Sequence, residues 1–250
     1  MKFLNGKPAL VLDELDKKTL VISDLHLGLE YEIYKKGISI PSMFEDQKKR
    51  ILNLIESVDA ERIFFLGDVK HNVPQISKSE KKGIPDFFQS ICEKVDVRIA
   101  KGNHDGRIED LLKKTCAKVS GPHGFTENIF YFNHGHSWPG EKVSKSKVLI
   151  RGHSHPAFEF KDKLGFSSVV PCWIKGPVKR DVVKERFGEK TELEEIVIVP
   201  AFNELISGMP VNQNEEKCLM GPTIENGIMD IDNSGVYLLD GTFIGRLEDL

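Results

Sequence analysis

Ala100-Lys101-Gly102-Asn103-His104-Asp105 follows a strand-like run, Val95 to Ile99, and breaks at a glycine into an amide, an imidazole and a carboxylate. A strand end does not need Asn-His-Asp in order to fold. Three adjacent groups that bind metals, move protons and accept hydrogen bonds point to chemistry, and chemistry requires partners elsewhere in the chain.

Upstream, Arg62 to Leu66 reads as an apolar strand ending at Gly67-Asp68, and Thr19 to Ser23 as a strand ending at Asp24-Leu25-His26. In an extended segment Asp24 and His26 face the same way. Between these strands, Phe44, Ile51, Leu54, Ile55 and Val58 recur at helical spacing. Ser42-Met43-Phe44-Glu45 has the form of a capping box, which predicts a helix over 42–57. Strand, helix, strand is the order of a parallel crossover unit, and such sheets gather functional groups at the carboxyl ends of their strands. Ala9 to Leu12 reads as a further strand. Ser79 to Glu93 reads as helical only after Pro85, and Arg107 to Lys114 as a short helix behind Asp105.

Downstream, Ile129 to Phe132 leads into Asn133-His134-Gly135-His136, and Lys147 to Ile150 into Arg151-Gly152-His153-Ser154-His155. The pattern of apolar strand followed by His, Asp or Asn therefore recurs along the chain. Of its eight histidines, His123 alone stands apart from these groups and reads as a loop residue. Packing does not explain histidines confined to strand ends. Beyond Pro156 the chain reads as scaffold and substrate rim. Strands are expected at Ala157 to Phe160, Phe166 to Val170, Glu195 to Val199 and Val236 to Leu239, with a charged, partly helical Lys179 to Glu194 and a loop over Ser207 to Asn214.

Composition narrows the setting. With 250 residues, 40% hydrophobic and 29% charged, the chain is long enough for one α/β domain with a sizeable core. A net charge of −3 advertises no basic field for nucleic acid; Lys48, Lys49, Arg50, Lys78, Lys81 and Lys82 are the candidates for a local patch. Cys92, Cys116, Cys172 and Cys218 contain no C-x-x-C pair, which argues against a zinc knuckle and fits a reducing cytosol. The N-terminus does not read as a signal peptide, and no run approaches the roughly 20 apolar residues that span a bilayer. The expected location is cytoplasmic, with no membrane partner.

Two carboxylates, an amide and several imidazoles offer more ligands than one ion needs. Mixed N/O donors without thiolate suit Mn²⁺ first, with Fe, Zn²⁺ or Ni²⁺ as alternatives. Two ions about 3.5–4 Å apart form the clamp used for phosphoryl transfer. No phosphate-cradling G-x-x-x-x-G-K-[ST] and no G-x-G-x-x-G after a strand is present. No Ser-His-Asp or Cys-His arrangement is evident.

The order D-x-H (Asp24, His26), G-D (Asp68), G-N-H-D (102–105), H (His134) and G-H-x-H (152–155) resembles the calcineurin-like metallophosphoesterase superfamily. Segments 22–30, 67–71 and 199–203 resemble its ICC-like branch of archaeal SbcD-related and bacterial DNA-ligase-associated phosphoesterases. The resemblance implies a four-layer α/β/β/α sandwich with two mixed sheets flanked by helices, spanning 1–250 as a single domain. Residues 1–156 would form the metal-motif half, and 157–250 the second-sheet half. It also implies Asp24, His26 and His155 on one metal, Asn103, His134 and His153 on the other, and Asp68 between them. His104 would donate a proton to the leaving oxygen and Asp105 would orient its imidazole. His136 is the alternative to His134, and His71 stands either at substrate or in a loop. The function implied is a phosphodiesterase acting by in-line attack of a metal-bridging hydroxide. The alternative is a DNA or RNA nuclease with a DNA-repair partner, and a protein-binding scaffold ranks last. Oligomeric state is open.

Overall fold

The computed structural model describes residues 1–213 and 219–250, so Asn214, the last residue of the predicted loop, and Cys218 lie outside the described residues. One sheet runs in chain order through β1 (Lys2–Phe3), β2 (Leu10–Leu12), β3 (Thr19–Ile22), β4 (Arg62–Phe65), β5 (Asp96–Ala100) and β6 (Lys118–Ser120). Its first three strands pair antiparallel and β3 to β6 pair parallel. The other sheet comprises β7 (Phe125–Glu127), β8 (Phe130–Asn133), β9 (Val148–Arg151), β10 (Pro156–Lys161), β11 (Ser167–Pro177), β12 (Glu195–Ile198) and β13 (Met209–Pro210). Their order is β13-β10-β11-β12-β9-β8-β7, and β14 (Gly235–Leu238) pairs with β11 and with β15 (Phe243–Arg246). The helices are α1 (Leu29–Lys35), α2 (Phe44–Val58), α3 (Lys78–Cys92), α4 (Ile108–Leu112), α5 (Arg180–Phe187) and α6 (Pro222–Glu225).

Period-two alternation sorts the strand side chains into layers. Val21, Phe64 and Leu66 from the first sheet meet Phe132, Ile150, Trp173 and Val197 from the second in a shared middle core. Their neighbours Leu20, Ile22, Ile63 and Phe65 point the other way, onto Ile51 and Ile55 of α2 and Phe87, Phe88 and Ile91 of α3. On the far side, Leu149, Ile174, Ile196 and Ile198 face Val183 of α5 and Ile224 of α6. Each fully buried large apolar side chain contributes about 1.5–3 kcal/mol. The result is helix, sheet, sheet, helix, with both sheets mixed, as the resemblance implied.

Register brings the polar strand ends together. Ile22 pairs with Phe65 and Phe65 with Ile99, so Asp24, Asp68 and Asn103 emerge at one edge. In the second sheet Asn133 pairs with Arg151, which sets His134 beside Gly152.

Several local expectations are corrected. Ser42 does not cap α2: the N-cap is Met43, and the Ser42 hydroxyl donates to Glu30 at 3.1 Å. The capping box belongs to α3, where Ser77 accepts from the Glu80 N–H at 3.2 Å and Glu80 accepts from the Ser77 N–H at 2.6 Å. That cap starts α3 before Pro85. A proline inside a helix costs about 3 kcal/mol, and burial of Ile84, Phe87, Phe88 and Ile91 on both sides of it outweighs that cost. Cys92 and Cys116 form a disulfide across 24 residues, which withdraws the support the cysteines lent to a reducing compartment. Among the described residues no helix is long and apolar enough to cross a membrane.

Candidate metal centre

The D-x-H segment is not extended, as the alternation argument assumed. Asp24 and His26 take φ of 57° and 43°, and Asp68, His153 and His155 take 46°, 73° and 43°. Left-handed backbone costs a side-chain-bearing residue on the order of 1 kcal/mol or more and persists where the surroundings impose it. Here the imposed turns, at strand ends of both sheets, bring five polar side chains to one site. Main-chain bonds hold them: Asp24 N–H to Gly67 O at 3.2 Å, His26 N–H to Asp68 O at 2.8 Å, and Gly152 N–H to His134 O at 2.9 Å. Asn203, from the second half, donates to Leu25 O at 2.8 Å and braces the same turn.

Two glycines make the approach possible. A Cβ on Gly67, whose φ is 77°, would lie 2.6 Å from the His134 ring. A Cβ on Gly102 would collide with the Asp68 carboxylate and main chain.

Two groups result. Ligand atoms of Asp24, His26 and His155 lie within 4.8 Å of one another, as do those of Asp68, His134 and His153. Asp68 Oδ2 stands between them, 3.5 Å from His26 Nε2 and 3.4 Å from His134 Nε2. His134 Nε2 is 3.1 Å from Asn103 Oδ1 and 3.1 Å from His153 Nδ1, and His155 Nε2 is 3.1 Å from Asp24 Oδ1. Donors bound at 2.0–2.2 Å to one ion lie roughly 3–3.5 Å from each other, so these separations are those of a coordination shell. His26 Nε2 is buried without a hydrogen-bond partner, and Asp24 Oδ1 and His155 Nε2 have only each other. Buried polar atoms are rarely left that way, and a cation shared among them removes the deficit. The donor set fits a pair of divalent ions.

The site's charges are strongly coupled. Burial opposes ionisation of Asp24, but the His155 and His134 imidazoles prevail and bring its carboxyl to about 2. Asp68 is likewise driven down by His134, His26 and His104 against burial. Burial first, then neighbouring positive charge, lowers His153 to about 3, and burial lowers His26 to about 3, so both are neutral donors at neutral pH. His134 is the opposite case: against burial, Asp68 and Asp24 raise it to about 9. It must lose a proton before Nε2 can hold an ion. Asp24 raises His155 as well, against burial, so the affinity of metal-depleted protein for Mn²⁺ is expected to rise at least about tenfold per pH unit on approaching pH 9 and to level off above it, read by calorimetry across that range. The ion-free fold carries the reverse linkage. A raised imidazole pKa adds stability that is complete below about 6.5 and is lost as pH climbs through about 9.

His104 lies beside both groups. Its main-chain N–H donates to Asp68 Oδ1 at 2.8 Å, and its Nδ1 bonds the His71 carbonyl. Nε2 is left facing the centre, 3.9 Å from Asp68 Oδ2. The expectation that Asp105 orients this imidazole is corrected. The buried Asp105 carboxylate accepts from three main-chain N–H groups, Val69 at 2.9 Å, Lys70 at 3.2 Å and Gly102 at 2.9 Å. It fastens the Asp68 turn to the Asn103 turn, and the His71 carbonyl orients His104. Asp105→Asn turns one acceptor into a donor facing those N–H groups, with an expected loss of about 1–3 kcal/mol, checked by chemical denaturation.

His136 lies outside the two groups, its ring centroid 5.2 Å from that of His134, and His123 bonds the Trp138 carbonyl in a loop. His71, left undecided by the sequence, stands against the His26 ring, with ring centroids 5.2 Å apart. Arg151 is a fully buried cation that no motif signalled; it donates to Thr223 Oγ1 at 2.9 Å and to Ser154 Oγ at 3.2 Å, behind the G-H-x-H turn. Lys48 and Arg50 are paired with Glu45 and Glu204.

Residues 17–143 match the model of the calcineurin-like phosphoesterase family. No curated protein matches the chain. Among solved structures, the Pseudomonas putida nuclease MPE is similar with a TM-score of 0.55 and 17% identity, over 93% of this chain and 97% of that one. YfcE, a phosphoesterase from E. coli, aligns at a TM-score of 0.41 and 16% identity, over 91% of this chain and 97% of its own. At such identities the likeness to MPE is one of fold.

Proposed function

Because the chain belongs to the calcineurin-like phosphoesterase family, whose members hydrolyse phosphoric esters with divalent metals, we propose that it is a two-metal phosphodiesterase. In this reading Asp24, His26 and His155 hold one ion, Asn103, His134 and His153 the other, and Asp68 is shared. The observation that carries it is the position of Asp68 Oδ2, 3.5 Å from an imidazole of one group and 3.4 Å from an imidazole of the other. Mn²⁺ is the first choice for this thiolate-free donor set.

When bound, the ions lower the pKa of water toward neutrality and offset charge growing on the phosphate oxygens. The protein's own contribution is placement and a proton. His104 Nδ1 is committed to the His71 carbonyl, so Nε2 is the nitrogen that delivers a proton to the leaving oxygen. Its side chain is 27% exposed and can meet a substrate. A cavity of about 290 Å³ reaches His155 and leaves room beside the centre for an ester arm, and the diester reading carries over from the family resemblance.

A nuclease is the second reading. A cavity of about 590 Å³ at Asn72 is lined by Tyr31, Lys35 and Lys78, cations and an aromatic ring of the kind that bind single strands, with Lys35 Nζ 4.5 Å over the Tyr31 ring, and the structurally similar P. putida protein is named a nuclease. The pairing of Lys48 and Arg50 with acids counts against a longer basic stripe.

One panel tests both readings. Metal-depleted protein reloaded with Mn²⁺, Zn²⁺, Fe²⁺, Ni²⁺ or Mg²⁺ is assayed on bis(p-nitrophenyl) phosphate, p-nitrophenyl phosphate and single-stranded DNA. The diester is expected to be cleaved fastest. A preference for the monoester removes the diesterase reading, and inertness with every metal removes the hydrolase. Cleavage of DNA promotes the nuclease and makes a DNA-repair partner worth seeking.

A further inference from the structure

Glu32 belongs to no motif, and His71 lies outside the proposed ligand set. The two are joined by a hydrogen bond of 2.6 Å between His71 Nε2 and Glu32 Oε2. On the other side of the ring, His71 Nδ1 is 3.1 Å from His26 Nδ1. We infer that Glu32 and His71 form a hydrogen-bonded relay that orients His26 toward its ion, which makes Glu32 a positioning residue for that half of the centre. The inference rests on the two-ion reading above.

Proton placement supports it from both ends. A neutral imidazole has one donor nitrogen and one acceptor nitrogen. Glu32, ion-paired with Lys36 at 2.8 Å, is an acceptor, so His71 carries a proton on Nε2, and in its neutral form it presents a lone pair at Nδ1. That lone pair requires His26 to carry its proton on Nδ1. The lone pair of His26 is then on Nε2, the buried atom without a partner that lies 3.5 Å from Asp68 Oδ2. Starting from a metal-ligating His26 Nε2 and working outward gives the same assignment. A carboxylate that fixes a metal-binding histidine through its second nitrogen is a recurrent device, and here an extra imidazole lies between the two.

His26, His71 and His104 also sit close enough together to suggest a third ion. The proton count opposes it. His26 cannot offer a lone pair at both nitrogens while neutral, and His104 Nδ1 is already bonded to the His71 carbonyl. The relay is anchored from beneath. Buried Glu80 accepts the main-chain N–H of His71 at 3.1 Å and of Asn72 at 2.8 Å, so the His71 ring stands on a fixed backbone. By contrast, α1 buries no residue, and the relay therefore ties a surface helix to the metal centre.

Metal-depleted parent, Glu32→Ala and Glu32→Gln are titrated with Mn²⁺ in competition with a chelator, and the Zn²⁺-loaded parent is examined by imidazole ¹⁵N NMR. Glu32 is on the surface, so its variants fold. Two ions are expected in the parent. In Glu32→Ala one site is expected to weaken by about 10-fold or more and the other to stay unchanged. Glu32→Gln, which keeps an oxygen to accept the His71 N–H, recovers most of that loss. The NMR is expected to find His71 protonated at Nε2 and His26 at Nδ1. Unchanged affinities in Glu32→Ala, a proton on His71 Nδ1, or a third bound ion would each overturn the relay while leaving the two-ion reading intact. A parent that binds no ion overturns both.

Discussion

His104→Ala is expected to keep both divalent ions while turnover falls roughly 10²–10⁴-fold, the range a positioned general acid supplies. The separation of binding from chemistry follows from how His104 is attached. Its bond to the Asp68 carboxylate comes from the main chain, 2.8 Å from Asp68 Oδ1, and alanine keeps that N–H. Its side chain stands farther from Asp68 Oδ2, at 3.9 Å, than the His134 and His26 imidazoles do, at 3.4 and 3.5 Å. The deficit should depend on the leaving group. An alkoxide needs the proton, whereas p-nitrophenolate leaves without it, so the variant should lose more on an alkyl ester than on a p-nitrophenyl ester. Equal rates for parent and variant on the alkyl ester would show that His104 is not the acid.

Asp68→Asn is expected to weaken both ions together, by at least the 10–100-fold typical of lost outer-shell partners. Both oxygens of Asp68 are already engaged, since Oδ1 accepts the His104 N–H and Oδ2 faces His26 and His134. An amide has one oxygen. With that oxygen turned to His104, its NH₂ points at the ions' positions; flipped, the NH₂ meets the His104 N–H. The negative charge shared by the two groups is lost in either case. Elemental analysis after dialysis against a chelator should find both ions depleted. Full occupancy by two ions would rule out the shared carboxylate.

Much of this was legible in the chain because strands and ligands are encoded locally. Apolar runs such as Arg62 to Leu66 announce buried strands, and the polar residues just beyond them can face only the strand edge. Parallel register then makes Asp24, Asp68 and Asn103 converge. What stayed hidden depends on contacts between distant segments. The role of Asp105 is set by N–H groups more than 30 residues away, on Val69 and Lys70, and not by its neighbour His104. Glu32 and His71 meet across 39 residues, and Cys92 and Cys116 across 24. Ser42-Met43-Phe44-Glu45 and Ser77-Lys78-Ser79-Glu80 share the S-x-x-E form. Only the buried position of Glu80, which also holds His71 and Asn72, distinguishes the one that forms. The left-handed turns at Asp24 and His26 were invisible for a similar reason: the surrounding sheet edge imposes them.

The most direct test of the two-metal account is hydrolysis of bis(p-nitrophenyl) phosphate by metal-depleted protein as Mn²⁺ is added in measured equivalents. The account predicts no turnover without metal and a rise that levels off at two equivalents per chain. Full activity in the metal-free protein, or a plateau at one equivalent, would contradict it.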